Sequence, residues 1–211
     1  MPPKPKSELQ RQEMRSAILD AARELFVERG LEAVTMREIA RRIGYSATAL
    51  YLHFKDKEAL IRALCDTDFL SLARELQAIE RIPDPIERLR LLGLGYVKFA
   101  MTYPNHYRLL FMTPQLPCDA EQTTLETGNP EQDAYAHLLH MVCEAHAAGL
   151  FRSDLDNPEL IAQTLWAGLH GVCALQIAKS NDCWVQWQSF EQRVALMQEV
   201  MMHSLLREKK A

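Results

Sequence analysis

Three histidines and a cysteine, His137, His140, Cys143 and His146, recur at every third position, with the residue types a metal site uses. On a helix each step of three turns a side chain by about 60°, so the four fan out instead of converging on one ion. His137 and His140 can at most form a weak pair. His146 falls at the centre of the apolar face set by Tyr135, Leu139 and Val142, and His137 points away from it. The expectation is no metal and no cofactor. Enzyme chemistry finds no better footing, because the chain has no glycine-rich phosphate loop, no nucleophile elbow and no close His/Asp/Ser or His/Cys arrangement with a physical rationale. Five cysteines (Cys65, Cys118, Cys143, Cys173 and Cys183), without a C-x-x-C pair, read as reduced thiols in a cytoplasmic protein.

A different chemistry, gripping a polyanion and reading base edges, gathers in the stretch TMREIARRIGYSATALYLHFKDKEAL, from Thr35 to Leu60. Thr35 and Glu38 have capping-box spacing and open one short helix, with Ile39, Ala40 and Ile43 inward and Gly44 as its stop. Ser46 caps a second, expected over Ala47 to His53, with Leu50 inward. Two short helices joined by a turn form a helix-turn-helix, whose second helix enters the major groove. Thr48 offers a methyl and a hydroxyl to base edges. Tyr51 suits a phosphate oxygen, and Lys57 with Arg37, Arg41 and Arg42 supplies cations. Backbone N–H groups at Thr35 and Ser46 face phosphates as helix N-termini do. Residues 1–60 carry a net charge of +2 and the remainder −6, so positive charge sits at the front despite a total of −4. Lys4, Lys6 and Arg11 form a basic arm, expected to be disordered without DNA.

Thr35, Ile39-Ala40, Gly44, Ser46, Leu50-Tyr51, His53-Phe54, Lys57 and Leu60 together closely resemble the DNA-binding signature of TetR-family transcriptional regulators. The resemblance spans residues 14 to 61, including AARELFVERGLEAVTMREIA as first helix and lead into the turn. It implies an all-helical, homodimeric cytoplasmic repressor that binds a palindromic operator and carries a divergent C-terminal ligand domain. It also implies DNA contacts from Thr48, Tyr51 and Lys57, and to these the residues of the stretch add Thr35, Arg37, Tyr45, Ser46, Ala47 and His53 as expected contacts. Tyr45 stands where the family often has a smaller aliphatic residue, and a phosphate contact and packing at the turn both remain open for it. Further on, WAGLHG (Trp166 to Gly171) is similar to the Trp-x3-His-Gly element of one C-terminal domain type in that family.

The elements that must position these residues are helices. At 211 residues, with 48% hydrophobic composition and only eight glycines, the chain reads as all-α. A three-helix reader with its arm over residues 1–57 precedes a larger ligand-binding and dimerisation domain over 58–211. The first helix runs from Glu8 to Arg29 before Gly30, and a fourth from Asp56 to about Ile79. Pro85, Pro104, Pro130 and Pro158 mark further starts, and residues 113–129 read as a loop.

The uncharged run from Leu160 to Ala178 is long enough to cross a bilayer, but its Gln, Thr and His residues favour a helix buried on all sides, and no membrane. Its small residues Thr164, Ala167, Gly171, Ala174 and Ala178 form a stripe for close helix approach. With Phe190, Val194, Met197 and Met201 of the last helix, which share a seam with Trp187, they are expected to build a four-helix dimer interface. Phe99, Tyr103, Tyr107, Phe111, Tyr135, Leu139, His146, Trp166 and His170 are the expected lining for a small apolar or aromatic effector. Two alternatives stand beside an effector-released repressor: a TetR-like regulator that is constitutive or answers to a protein partner, and a small helical enzyme.

Overall fold

The computed structural model describes residues 8–77, 79, 81–113, 126 and 128–207. The basic arm at Lys4 and Lys6, and most of the 113–129 loop with Cys118, lie outside them. The described residues form nine helices: α1 (Glu8–Arg29), α2 (Met36–Arg42), α3 (Ala47–Tyr51), α4 (Lys57–Gln77), α5 (Pro85–Thr102), α6 (Pro104–Phe111), α7 (Ala134–Ala147), α8 (Pro158–Lys179) and α9 (Phe190–Leu205). No cis peptide occurs among them.

Contacts divide the chain into two compact units, Met1–Asp68 with Asn105–Thr124, and Phe69–Pro104 with Leu125–Ala211. The first unit therefore extends past the expected boundary at residue 57, taking in half of α4 and nearly all of α6. The reason is burial. Leu60, Ile61 and Leu64 of α4 and Leu109 of α6 share one core with Ile18, Ala22, Leu25, Phe26, Ile39 and Leu50.

Two sequence boundaries move. α3 ends at Tyr51, because Leu50 O accepts both His53 N–H (2.9 Å) and Phe54 N–H (3.0 Å) and closes the helix early. Pro130 opens a turn rather than a helix. The cap of α7 is Asp133, whose carboxylate accepts the N–H groups of Tyr135 (2.9 Å) and Ala136 (3.1 Å).

In the second unit α5, α7, α8 and α9 surround a core that includes Leu92, Phe99, Met141, Leu165, Leu169 and Met202. Glycine allows close approach at Gly93, where a Cβ would stand 2.7 Å from Leu169 Cδ1 and 2.8 Å from Gln198 Nε2. The buried Gln198 amide donates to Arg90 O (2.9 Å), which pins α9 to α5. An antiparallel bridge between Phe151 and Leu206 ties down the chain beyond α9.

α8 is not buried on all sides. Ile161, Leu165, Leu169, Val172 and Cys173 face inward, while Leu160, Thr164, Ala167, Leu175 and Ala178 are exposed. Length and composition would let it cross a membrane, yet one face packs on α5, α7 and α9.

Candidate DNA-reading surface and regulatory unit

Capping fixes the reader. Thr35 Oγ1 accepts Glu38 N–H (3.3 Å), and Glu38 Oε2 accepts Thr35 N–H (2.9 Å). The Thr35 N–H first, and then the Thr35 hydroxyl, which also donates to Oε2 (2.9 Å), hold the Glu38 carboxyl below its ordinary range. The N–H of Thr35 is thereby spent, a correction to its expected phosphate role. What α2 can offer a phosphate is the N–H of Met36 and Arg37.

At the turn Gly44 adopts φ +73°, with its N–H donating to Arg41 O (3.2 Å) and the N–H of Tyr45 to Ala40 O (2.9 Å). This pair of bonds is the Schellman motif and needs the left-handed residue that glycine supplies. Ser46 Oγ then accepts Ala49 N–H (3.2 Å) and starts α3.

Leu50 is fully enclosed, which directs the opposite face of α3 outward. Thr35, Arg37, Ser46 and Thr48 are exposed, and Tyr45 (49%) and Tyr51 (53%) are about half so. The Tyr45 side chain is thus about half exposed at the turn. Ala47, His53 and Lys57 are half-buried, and Ala47 leans on the core. Arg42 is answered by Glu24 at 2.9 Å. Lys57 borders an open cleft of about 370 Å³ whose other lining includes Glu32, Asp56 and Glu58. Leu52 was missed. It is 77% exposed beside Tyr51, and its position one turn after Thr48 was the available signal.

Behind the reader, Asp68 is wholly buried and joins three helices of the first unit. Arg23 of α1 donates to it twice, Nε to Oδ2 (3.0 Å) and Nη2 to Oδ1 (2.7 Å). His106 Nδ1 of α6 lies 2.9 Å from the same Oδ1. Burial acts to lower the Arg23 pKa, but bonds and charge from Asp68 and Asp20 outweigh it and raise the guanidinium above its ordinary value.

The residues expected around an effector fall into separate groups. In the first unit Tyr107 is fully buried, with the Phe111 ring 5.0 Å away. In the second unit Phe99 is a core residue whose ring lies 5.6 Å from that of the half-exposed Tyr103. Three expected residues do meet there. Tyr135 and Trp166 rings lie 5.9 Å apart, and Trp166 and His170 rings 6.4 Å. Tyr96, absent from the sequence reading, ties them together: Trp166 Nε1 donates to its hydroxyl (3.0 Å), which lies 3.3 Å from His170 Nδ1. A buried tyrosine needs a hydroxyl partner, and that was the signal available for Tyr96. Tyr135 Oη donates to Glu159 (2.6 Å). Burial lowers the His170 pKa, so the imidazole is neutral near pH 7.

The two α7 histidines exchange roles. His137 is 1% exposed and faces the core with Met141, Val142 and Ala145. His146 and Leu139 are half-buried, and His146 Nε2 lies 3.1 Å from Leu155 O, which positions a loop. Among the described residues no group of three metal-ligating side chains converges. Burial pushes the thiols of Cys65 and Cys173 up to about 12, so both stay protonated.

The last helix turns its expected seam inward. Val194 (4%) and Met201 (9%) are buried in their own unit, and Phe190 and Met197 partly so, because α8 presents Gly168 to the sulfurs of Met197 and Met201. Leu196 (61%) and Val200 (52%) point outward instead. The helices are antiparallel, since Gln176 meets Arg193 while Gly168 meets Met201. Counting about 100° per residue from that contact puts Leu196 and Val200 on the same side as Thr164, Ala167, Gly171, Leu175 and Ala178. Gly171 has open space where a side chain would stand.

A helix-turn-helix with a capped, outward-facing second helix, joined to a helical unit, defines a DNA-binding transcriptional regulator. Residues 18–64 match the bacterial regulatory proteins of the tetR family, and residues 89–196 the tetracyclin repressor-like C-terminal domain. The chain belongs to the TetR family. It is 31% identical to the HTH-type transcriptional repressor KstR2 of Mycolicibacterium smegmatis over 163 residues, 74% of this chain and 77% of that one. The HTH-type transcriptional activator FasR of the same species is 38% identical over 104 residues, 49% of this chain and 48% of that one. The fold resembles that of the fatty acid degradation regulator FadR from Bacillus halodurans, with a TM-score of 0.71 at 18% identity, covering 94% of this chain and 97% of that one. Members of the family bind operator DNA and dimerise.

Proposed function

We propose that the protein is a repressor that grips a palindromic operator as a homodimer and is released by a small apolar effector. The observation that carries the reading is the face of α3, where Tyr45, Thr48, Tyr51 and Leu52 stand outward around the buried Leu50. Thr48 and Leu52, one turn apart, suit base edges and thymine methyls, and the two tyrosine hydroxyls suit phosphate oxygens. The likeness to the repressor KstR2 supports repression. The uncharged outward stripe on α8, with Leu196 and Val200, supports dimerisation through α8 and α9.

The cluster of Tyr135, Trp166 and His170 with Tyr96 supports an effector site in the second unit, where apolar rings dominate and few polar atoms orient a ligand. Two proteins of similar fold, FadR and a fatty acid metabolism regulator of Clostridium perfringens, are fatty acid regulators by name, so fatty acids are the first compounds to try. Selection of bound fragments from random DNA by the purified protein tests the reading. Enrichment of a two-fold palindrome is the expected result. Recovery of sequence-independent fragments alone would remove the reader assignment.

A further inference from the structure

The turn between α8 and α9 carries Trp184 at 94% exposure, with Val185 at 45% and Cys183 and Gln186 also exposed. A single exposed apolar side chain means little by itself. This one is held in place from both sides. The N–H of Trp184 donates to Asp182 Oδ1 (3.0 Å), which shapes the turn. Three residues on, the half-buried Trp187 ring lies under the Arg193 guanidinium at 4.9 Å and anchors the segment to α9. Trp187 is rooted and Trp184 is presented.

What covers Trp184 follows from what adjoins it. The outward stripe of α8 ends at Ala178, just before this turn, and residues 183–189 continue it without a charge. The only lysine beside the turn, Lys179, is answered by Asp182 at 3.7 Å, and Arg193 is occupied by two aromatic rings and Gln176. A membrane-binding tip would need a rim of uncommitted cations, which this one lacks. Tryptophan fixed at the edge of an outward stripe of small and apolar residues is the composition of an interface anchor.

We propose that the α8–α9 turn is a dimer arm, with Trp184 and Val185 of each protomer docking on the α8–α9 surface of its partner. The arm rests on the reading of that surface as the dimer seam. Two-fold symmetry doubles it, since each subunit gives one arm and receives one.

The test uses the full chain. Hydroxyl-radical footprinting read by mass spectrometry reports Trp184 at concentrations above and below dimer dissociation, and sedimentation compares the wild type with Trp184→Ser. Trp184 is expected to be oxidised several-fold more slowly in the dimer. The variant is expected to dissociate at roughly 10- to 100-fold higher concentration, with unchanged helical content and melting temperature as a dilute monomer. A dimer in which Trp184 stays fully reactive, with an unaltered dissociation constant for the variant, overturns the arm and leaves the seam standing. A wild-type protein that is monomeric throughout overturns both. Protection that appears only on adding anionic phospholipid vesicles assigns the turn to a membrane and also overturns the arm.

Discussion

Thr48 and Tyr51 share one face of a five-residue helix, but they differ in reach. Thr48→Ala is expected to lose affinity unevenly, by about 1–3 kcal/mol for the preferred base over its rivals. Tyr51→Phe removes one hydroxyl and should weaken all sequences alike, by about 0.5–1.5 kcal/mol. Lys57→Ala should also act uniformly and flatten the salt dependence by about one unit of slope. Binding to a panel of single-base operator variants at several salt concentrations decides. If Tyr51→Phe reshapes base preference and Thr48→Ala does not, the roles are reversed. Asp68 works at the same scale in a different currency, stability. Asp68→Asn leaves the buried Arg23 guanidinium with only the exposed Asp20 carboxylate, and urea melts should show a loss of about 3–5 kcal/mol. His170 adds a pH signature. Its folded pKa is lowered by burial, so the unfolded chain binds the proton more readily and stability falls as pH drops through the ordinary histidine range. His170→Gln should flatten that decline between about pH 7 and 5.

Between helices the informative comparison is between two glycines three residues apart on α8. Gly168 faces the Met197 and Met201 sulfurs of α9 within the protomer, and Gly171 faces open space. Gly168→Leu should force Met197 and Met201 aside and cost about 1–3 kcal/mol of folding stability or more. Gly171→Leu should leave the monomer folded and disrupt the dimer. Thermal melts paired with sedimentation separate them, and a Gly171→Leu protein that remains dimeric removes α8 from the interface.

The sequence shows part of this arrangement. The bounds of α1, the Thr35–Glu38 box, the Gly44 stop and the Ser46 cap were legible because each is settled within a few residues. The orientation of α9 was not. Val194 with Met201, and Leu196 with Val200, are equally apolar pairs, and periodicity cannot say which meets the protomer's own α8. His137 and His146 were exchanged for the same reason: α7 is apolar over most of its circumference, so its core-facing side is chosen by α5 and α8 and not by its own pattern. Tyr96 went unseen because its partners, Trp166 and His170, lie 70 and 74 residues away.

For the whole molecule, regulation by a ligand is a statement about coupled equilibria. A compound that binds only the folded protein raises apparent stability by about 2.7 kcal/mol at a hundred times its dissociation constant. Heat stabilisation alone therefore identifies a ligand and not an effector. An effector must also bind the operator-free form more tightly than the operator-bound form. By linkage, the factor by which it weakens operator binding equals the factor by which operator weakens its own binding, typically 5- to 150-fold. The prediction is that a fatty acid or similar apolar compound that raises the melting temperature will reduce operator affinity by such a factor, and that operator DNA will reduce its affinity equally. Trp166→Ala, which removes the ring between Tyr135 and His170, should abolish both the stabilisation and the release while operator affinity without ligand stays within about twofold. Calorimetric titration of ligand with and without operator, and of operator with and without ligand, closes the cycle. A compound that stabilises the protein yet shows no reciprocal effect is a bystander. If Trp166→Ala responds normally to a compound that does close the cycle, the effector site lies elsewhere in the chain.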